Sequence, residues 1–121
     1  MPRQTTFVYS DGLSRHVLSE SHPMKPARLR HTYELLEAYG AFGAANSRIV
    51  EPRQATEDEV LLFHSREYLE AVRSFGLGSS DLDAAAFNFG PGDNPAYEGM
   101  YDAALWSTGA SLRAAELLVS G

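Results

Sequence analysis

Apolar residues along this chain fall into short runs parted by turn formers, and the period of the runs changes from strand-like to helical. Thr5-Thr6-Phe7-Val8-Tyr9 is β-branched and aromatic and stops at Ser10-Asp11-Gly12, which predicts a buried first strand. Leu13 to Ser21 has no clean period and reads as a polar connecting loop, a common place for a site. From Pro26 the spacing turns helical. Leu29, Tyr33 and Leu36 recur around Glu34 and Glu37, and Gly40 follows as a cap, so a helix is predicted over 26–39. Ala41 to Ser47 is a linker of small residues, and Arg48-Ile49-Val50 before Glu51-Pro52 predicts a second strand.

The second half is helical by pattern. Thr56 and Glu59 have the spacing of a capping box, with Val60-Leu61-Leu62-Phe63 after them. His64-Ser65 restarts a helix whose one face is Tyr68, Leu69, Val72 and Phe75, and Gly76 and Gly78 stop it. Gly78 to Gly92 reads as a loop containing an alanine run. Pro95 is expected to open a last helix over 95–119, rich in small residues and so suited to close packing, with Gly121 available as its cap. Strand, helix, strand, then helices suggests α/β with a parallel sheet. Two strands are few for a sheet covered on both faces, so the pattern fits either a mostly helical domain or the first part of something longer.

Composition narrows this without naming a function. At 121 residues and 44% hydrophobic, the chain is long enough for one packed domain and too apolar for disorder. It has no cysteine, hence no disulfide framework and no thiolate zinc site, which fits a reducing compartment. The N-terminal Met1-Pro2-Arg3-Gln4-Thr5-Thr6 lacks the apolar run of a signal peptide, and no stretch reaches the roughly 20 apolar residues of a membrane span. A soluble cytoplasmic protein is expected, with no membrane partner. The net charge of −6 argues against nucleic acid. That charge is uneven: residues 1–31 hold five basic and two acidic side chains, residues 32–121 five and fourteen.

Two segments concentrate candidate chemistry. In His22-Pro23-Met24-Lys25-Pro26-Ala27-Arg28-Leu29-Arg30, two prolines fix φ, and Arg28 and Arg30 fall in the first turn of the predicted helix. Cations there oppose the helix dipole, so a buried carboxylate or carbonyl partner is expected for them. The second segment is Phe87 to Gly99. Gly90-Pro91-Gly92 resembles half a phosphate loop but lacks its Lys-Ser/Thr, and reads as loop geometry. Asp93 has two readings: a cap on the last helix, or a loop-tip carboxylate that accepts hydrogen bonds from a ligand's backbone N–H groups. The four histidines, His16, His22, His31 and His64, form no His-Glu-x-x-His, and no nucleophile elbow is present. Residue chemistry alone names no reaction.

The same segments carry a family resemblance. His22-Pro23-Met24-Lys25-Pro26-Ala27-Arg28 resembles the His-Pro-Met-Lys-Pro-x-Arg motif of the histone deacetylase and acetoin-utilisation protein family. Phe63-His64-Ser65-Arg66-Glu67-Tyr68-Leu69 is similar to its His-Ser-x-x-Tyr helix, Phe87 to Gly99 to its loop ending in Asp-x-Pro, and Ser107-Thr108-Gly109-Ala110-Ser111 to the helix that follows. Order and spacing agree along nearly the whole chain, and the Asn94-Pro95 form of the loop leans toward the bacterial acetoin-utilisation branch.

The resemblance implies the N-terminal portion of an arginase/deacetylase-type three-layer α/β fold, helix-rich here, as a single partial domain over 1–121. It implies zinc-dependent removal of acyl groups from acetyl-lysine or a small acetylated amine, in which a zinc-bound water attacks a polarised carbonyl and histidines act as base and acid. By position, Asp93 matches the rim aspartate that binds the substrate backbone. Met24 and Arg28 match the lining of the inner pocket. His22, Pro23, Lys25, Pro26 and Arg30 match motif positions that look structural. The family's zinc ligands, paired histidines and oxyanion tyrosine have no counterpart in residues 1–121, so neither bound zinc nor hydrolysis is expected of this chain alone. Where the family often has aromatics before the motif, this chain has Val17 and Leu18. Two rival readings are a stand-alone module that self-associates or binds a partner through apolar surface, and an anion-binding domain using Lys25, Arg28 and Arg30. A homo-oligomer is expected from the apolar surface left uncovered.

Overall fold

The computed structural model describes residues 3–121, so the first two residues of the N-terminal stretch read for a targeting signal lie outside it. Strand β1 (Thr5–Val8) pairs in parallel with β2 (Ser47–Val50), Thr5 opposite Ser47 and Val8 opposite Val50. The pairing continues past both ends: the Thr5 amide donates to the Asn46 carbonyl at 2.8 Å and the Tyr9 amide to the Val50 carbonyl at 3.1 Å. The expected buried strand is only half-buried. Of its residues, Tyr9 alone is buried, and that lies one position past the strand. A two-stranded sheet offers too little surface to enclose its own side chains.

The crossover between the strands is helix α1 (Ala27–Ala38), which starts behind buried Pro26. It ends in a Schellman motif, with Gly40 at φ +73°, its amide on the Glu37 carbonyl, and the Ala41 amide on the Leu36 carbonyl. An aromatic ladder fastens α1 to β1: Tyr33 stacks on Tyr9 with centroids 4.7 Å apart, and Phe42 lies against both Tyr33 and Phe7. No residue of α1 is buried.

Helix α2 (Glu57–Val60) is a single turn, held by its predicted capping box: the Glu59 amide donates to Thr56 Oγ1 and the Thr56 amide to Glu59 Oε1. Ser65 caps α3 (Arg66–Gly76), whose Leu69 and Phe75 are buried as the periodicity predicts, with Ala71 beside them. After the stop at Gly78, a 3-10 turn over Ala84–Phe87 brings Phe87 and Phe89 onto that face. Ala71, Phe75, Phe89 and Met100 form the main core.

The last helix, α4 (Met100–Ser120), begins five residues later than Pro95 predicts. The cause is tertiary. The Gly99 amide donates to the Gly76 carbonyl at the end of α3, and Gly99 adopts φ +86°, which no right-handed helix contains. Further along, α4 meets the segment after β2 backbone to backbone. Ala55 donates its amide to the Leu105 carbonyl at 2.9 Å, and Gly109 lies directly against Arg53 and Ala55. Among the described residues no helix is long and apolar enough to cross a membrane.

Candidate functional site

The two segments singled out from the sequence meet in space. His22 is buried at 8% exposure, and its Nε2 lies 3.1 Å from the carbonyl oxygen of Asp93. Its Nδ1 accepts from the Met24 amide at 3.0 Å. Around it the backbone is tied down: the His22 amide donates to Ser19 Oγ at 3.0 Å, and Lys25 Nζ donates to the Ser19 carbonyl at 3.2 Å and also to that of Glu20. Lys25 therefore closes the loop that precedes it.

The residues of the motif that the helix carries point differently. Arg28 and Arg30 are exposed, and Met24 is 46% exposed. Arg30 Nε lies 3.7 Å from Glu34, one turn on and itself in solvent, while Arg28 makes no side-chain hydrogen bond or ion pair among the described residues. The buried partner expected for the two arginines is thus not found here. Among the described residues no layer covers the helix end on which they sit, and both side chains are exposed.

Asp93 stands at the tip of a closed loop. Gly90 donates its amide to the Asn94 carbonyl at 3.0 Å, Asn94 Nδ2 donates to the Asn88 carbonyl at 2.7 Å, and Gly92 takes φ +105°. Because α4 starts at Met100, Asp93 is not its cap, which disposes of the first of its two readings. Its carbonyl is held by His22 and its side chain is exposed. A carboxylate so placed can accept two N–H bonds from an extended chain laid across the loop.

Beside the loop, α2, α3 and α4 border an open groove of about 570 Å³, lined also by Asn94 and Pro95. It is mainly apolar, with Val60, Tyr68 and Leu105 in its walls and Phe63 at its edge. Burial raises the Tyr97 phenol above its ordinary value, so it stays protonated there. Two ion networks frame α2. Arg53 binds Glu59 through both terminal nitrogens at 2.8 Å and reaches Glu116 of α4. Arg73 holds Glu57, Glu70 and the Tyr101 hydroxyl, and Arg66 joins them on Glu57. The Arg53 guanidinium, with the Thr56 amide, holds the Glu59 carboxyl down at about 2.

One polar cluster escaped sequence reading. His16, in the loop treated as a connector, bonds Asp102 of α4 at 2.7 Å, and Gln54 Nε2 donates to the other oxygen of Asp102. The pair is separated by 86 positions, and no local signal marks it. The remaining histidines are dispersed: His31 lies 3.8 Å from Glu34 and His64 stacks on Tyr68. Among the described residues no group of three or more His, Asp or Glu side chains is close enough to hold a metal ion, so these residues do not fit a zinc site.

With that geometry in place, comparison with known proteins decides the family. The model of the histone deacetylase domain matches residues 22–121, from the buried histidine to the end of α4. The chain belongs to the histone deacetylase family. Its relatives include the acetoin utilization protein AcuC of Bacillus subtilis (strain 168), 33% identical over 120 residues, covering 98% of this chain and 30% of that protein. AcuC of Staphylococcus aureus (strain MSSA476) is 34% identical over the same shares. Histone deacetylase HDAC1 of Drosophila melanogaster is 33% identical over 116 residues, covering 93% of this chain and 22% of that protein. The chain therefore spans less than a third of the length of these relatives. Both the His22 segment and the Asp93 loop lie inside the match to the deacetylase domain.

Proposed function

We propose that this chain is the N-terminal part of a zinc-dependent deacetylase of the acetoin-utilisation type, acting on acetyl-lysine or a small acetylated amine. Within it, Asp93 is the substrate-binding rim residue. The observation that carries this reading is the exposed Asp93 carboxylate at the tip of a loop whose backbone is anchored to a buried histidine. The parent fold is the three-layer arginase/deacetylase arrangement, of which residues 1–121 form one partial domain. In it Met24 and Arg28 line the inner pocket. Zinc belongs to the whole domain. The described residues of this chain bind and orient substrate and hold no metal, and 1–121 alone does not hydrolyse amides. In this reading the protein is cytoplasmic and binds neither nucleic acid nor membrane.

The test uses a fluorogenic acetyl-lysine substrate with added zinc. Residues 1–121 alone give no turnover. Joined to the remaining length of a family member with measured deacetylase activity, they support turnover, and Asp93→Ala raises KM. Turnover by 1–121 above a metal-only blank, abolished by Asp93→Ala, would refute the reading. So would an active chimaera indifferent to Asp93→Ala.

A second reading is favoured by one observation. Leu62 and Phe63 are 88% exposed beside the groove, and Leu118 and Val119 are 84% and 89% exposed at the end of α4. A module that self-associates through this surface, as a homo-oligomer, covers it without any other chain. Light scattering tests it: a monodisperse monomer counts against self-association.

A further inference from the structure

We infer that His22 is a positioning residue: it acts as a one-tautomer clip that sets where the Asp93 carboxylate stands. This rests on the rim role proposed for Asp93. The Met24 backbone amide can only donate, so Nδ1 of His22, 3.0 Å away, must accept and carries no proton. A neutral ring with an unprotonated Nδ1 has its proton on Nε2, the nitrogen that faces the Asp93 carbonyl at 3.1 Å. Both hydrogen bonds therefore require the same single form. Lysine or arginine offers no acceptor for Met24, and no aliphatic residue offers either group.

The neighbouring sequence suits this use. Pro23 has no N–H, so the first backbone donor after His22 is that of Met24, where the ring nitrogen can reach it. The His22 amide is held on Ser19, and Lys25 pins the Ser19 and Glu20 carbonyls, so the ring stands on a fixed base. Across the gap, the loop is closed on itself by Gly90 and Asn94 but has no bond of its own to the Asp93 carbonyl. His22 supplies that bond from 71 positions away. Capture of the carbonyl fixes the peptide plane after Asp93, and with it the direction in which the side chain leaves the loop. The loop's own bonds, through Gly90 and Asn94, do not touch that carbonyl.

Two variants separate the halves of the clip. In His22→Asn the side-chain oxygen still accepts from the Met24 amide, as in an Asx turn, but the side chain is too short to reach Asp93. In His22→Gln the amide NH2 reaches the Nε2 position and donates to Asp93, while the acceptor for Met24 is lost. Nitrogen-15 NMR of residues 1–121 is expected to show His22 as the Nε2–H tautomer. Amide exchange at Gly90, whose N–H is held by the Asn94 carbonyl, is expected to rise about fivefold in His22→Asn, the worth of one hydrogen bond, and to stay near wild type in His22→Gln. An Nδ1–H tautomer, or loop exchange unchanged in His22→Asn, overturns the clip.

The functional half is read in the active chimaera. His22→Asn should raise KM with little change in kcat, His22→Gln should restore it, and His22→Asn should add nothing to Asp93→Ala. If Asp93→Ala raises KM and His22→Asn does not, positioning is overturned while the rim reading stands. If Asp93→Ala has no effect, the rim reading fails, and the tautomer and exchange results still decide whether the clip exists.

Discussion

Replacing Gly109 by alanine sets two opposed effects against each other. In a solvent-facing helix interior the change stabilises by about 1 kcal/mol, because alanine loses less backbone freedom. Gly109, however, is buried in α4 against the segment after β2. A Cβ built there overlaps the Arg53 carbonyl oxygen and falls 2.6 Å from the Ala55 nitrogen and 2.7 Å from the Arg53 carbonyl carbon. These are backbone atoms, so no rotamer change relieves the clash. The segment cannot simply retreat, because Arg53 is bonded to Glu59 on one side and Glu116 on the other. Moving α4 outward also stretches the 2.9 Å bond from the Ala55 amide to the Leu105 carbonyl. Overpacking of this kind costs up to about 3 kcal/mol, and the weakened hydrogen bond about 1 more. Net of the helix gain, Gly109→Ala should destabilise by about 3 kcal/mol. For a chain of this size that lowers Tm by about 12 °C, at roughly 4 °C per kcal/mol. Urea denaturation with unchanged slope, beside thermal melting, measures it. Ser111→Ala, on the exposed side of the same helix, should stay within about 0.5 kcal/mol of wild type. If Gly109→Ala melts at or above the wild-type temperature, the close approach of α4 to residues 53–55 is wrong.

Acid should unfold the protein through the α2 networks. The Glu59 carboxyl is held at about 2 by Arg53 and the Thr56 amide, against an ordinary 4.5, and Glu57 and Glu116 are also lowered, by Arg66 with Arg73 and by Arg53. Groups lowered in the folded state contribute stability that is complete above the ordinary value and lost as pH falls toward the folded one. The urea midpoint should therefore drop between pH 4.5 and about 2, and Glu59→Gln should flatten that limb; a midpoint that rises on acidification contradicts the networks. Asp102→Ala leaves His16 and Gln54 without their shared acceptor and should cost about 1 kcal/mol, the carboxylate being partly exposed, with added amide exchange in the loop around His16. Equal stability and equal exchange would show that this cluster does not fasten the loop to α4.

Features set by near neighbours could be read before any fold was known. The Thr56–Glu59 capping box, the helix restart at His64-Ser65, the Gly40 stop and the apolar face of α3 each depend on residues within one or two turns, and each stands where the spacing puts it. The start of α4 did not follow its local signal. Pro95 favours a helix start, but Gly99 spends its amide on Gly76, and Tyr97 and Met100 pack with the α3 core, so the helix waits until Met100. The burial of β1 also failed, because β-branched and aromatic content reports strand preference and not whether a second layer exists to cover the strand.

The candidate site divides along the same line. Motif spacing singled out His22 and Asp93 one by one, together with the prolines and Lys25 that shape the loop around the histidine. That the two touch through one ring nitrogen and one carbonyl, and that His16 finds Asp102, follows only from how α3, α4 and the crossover pack. Hydrogen bonds between groups 71 and 86 positions apart leave no period or cap in the sequence. Capping, turn chemistry and hydrophobic period act over a few residues, and the chain states them outright. Which buried donor meets which carbonyl is decided by packing over the whole body, and there the amino acids only limit the choices.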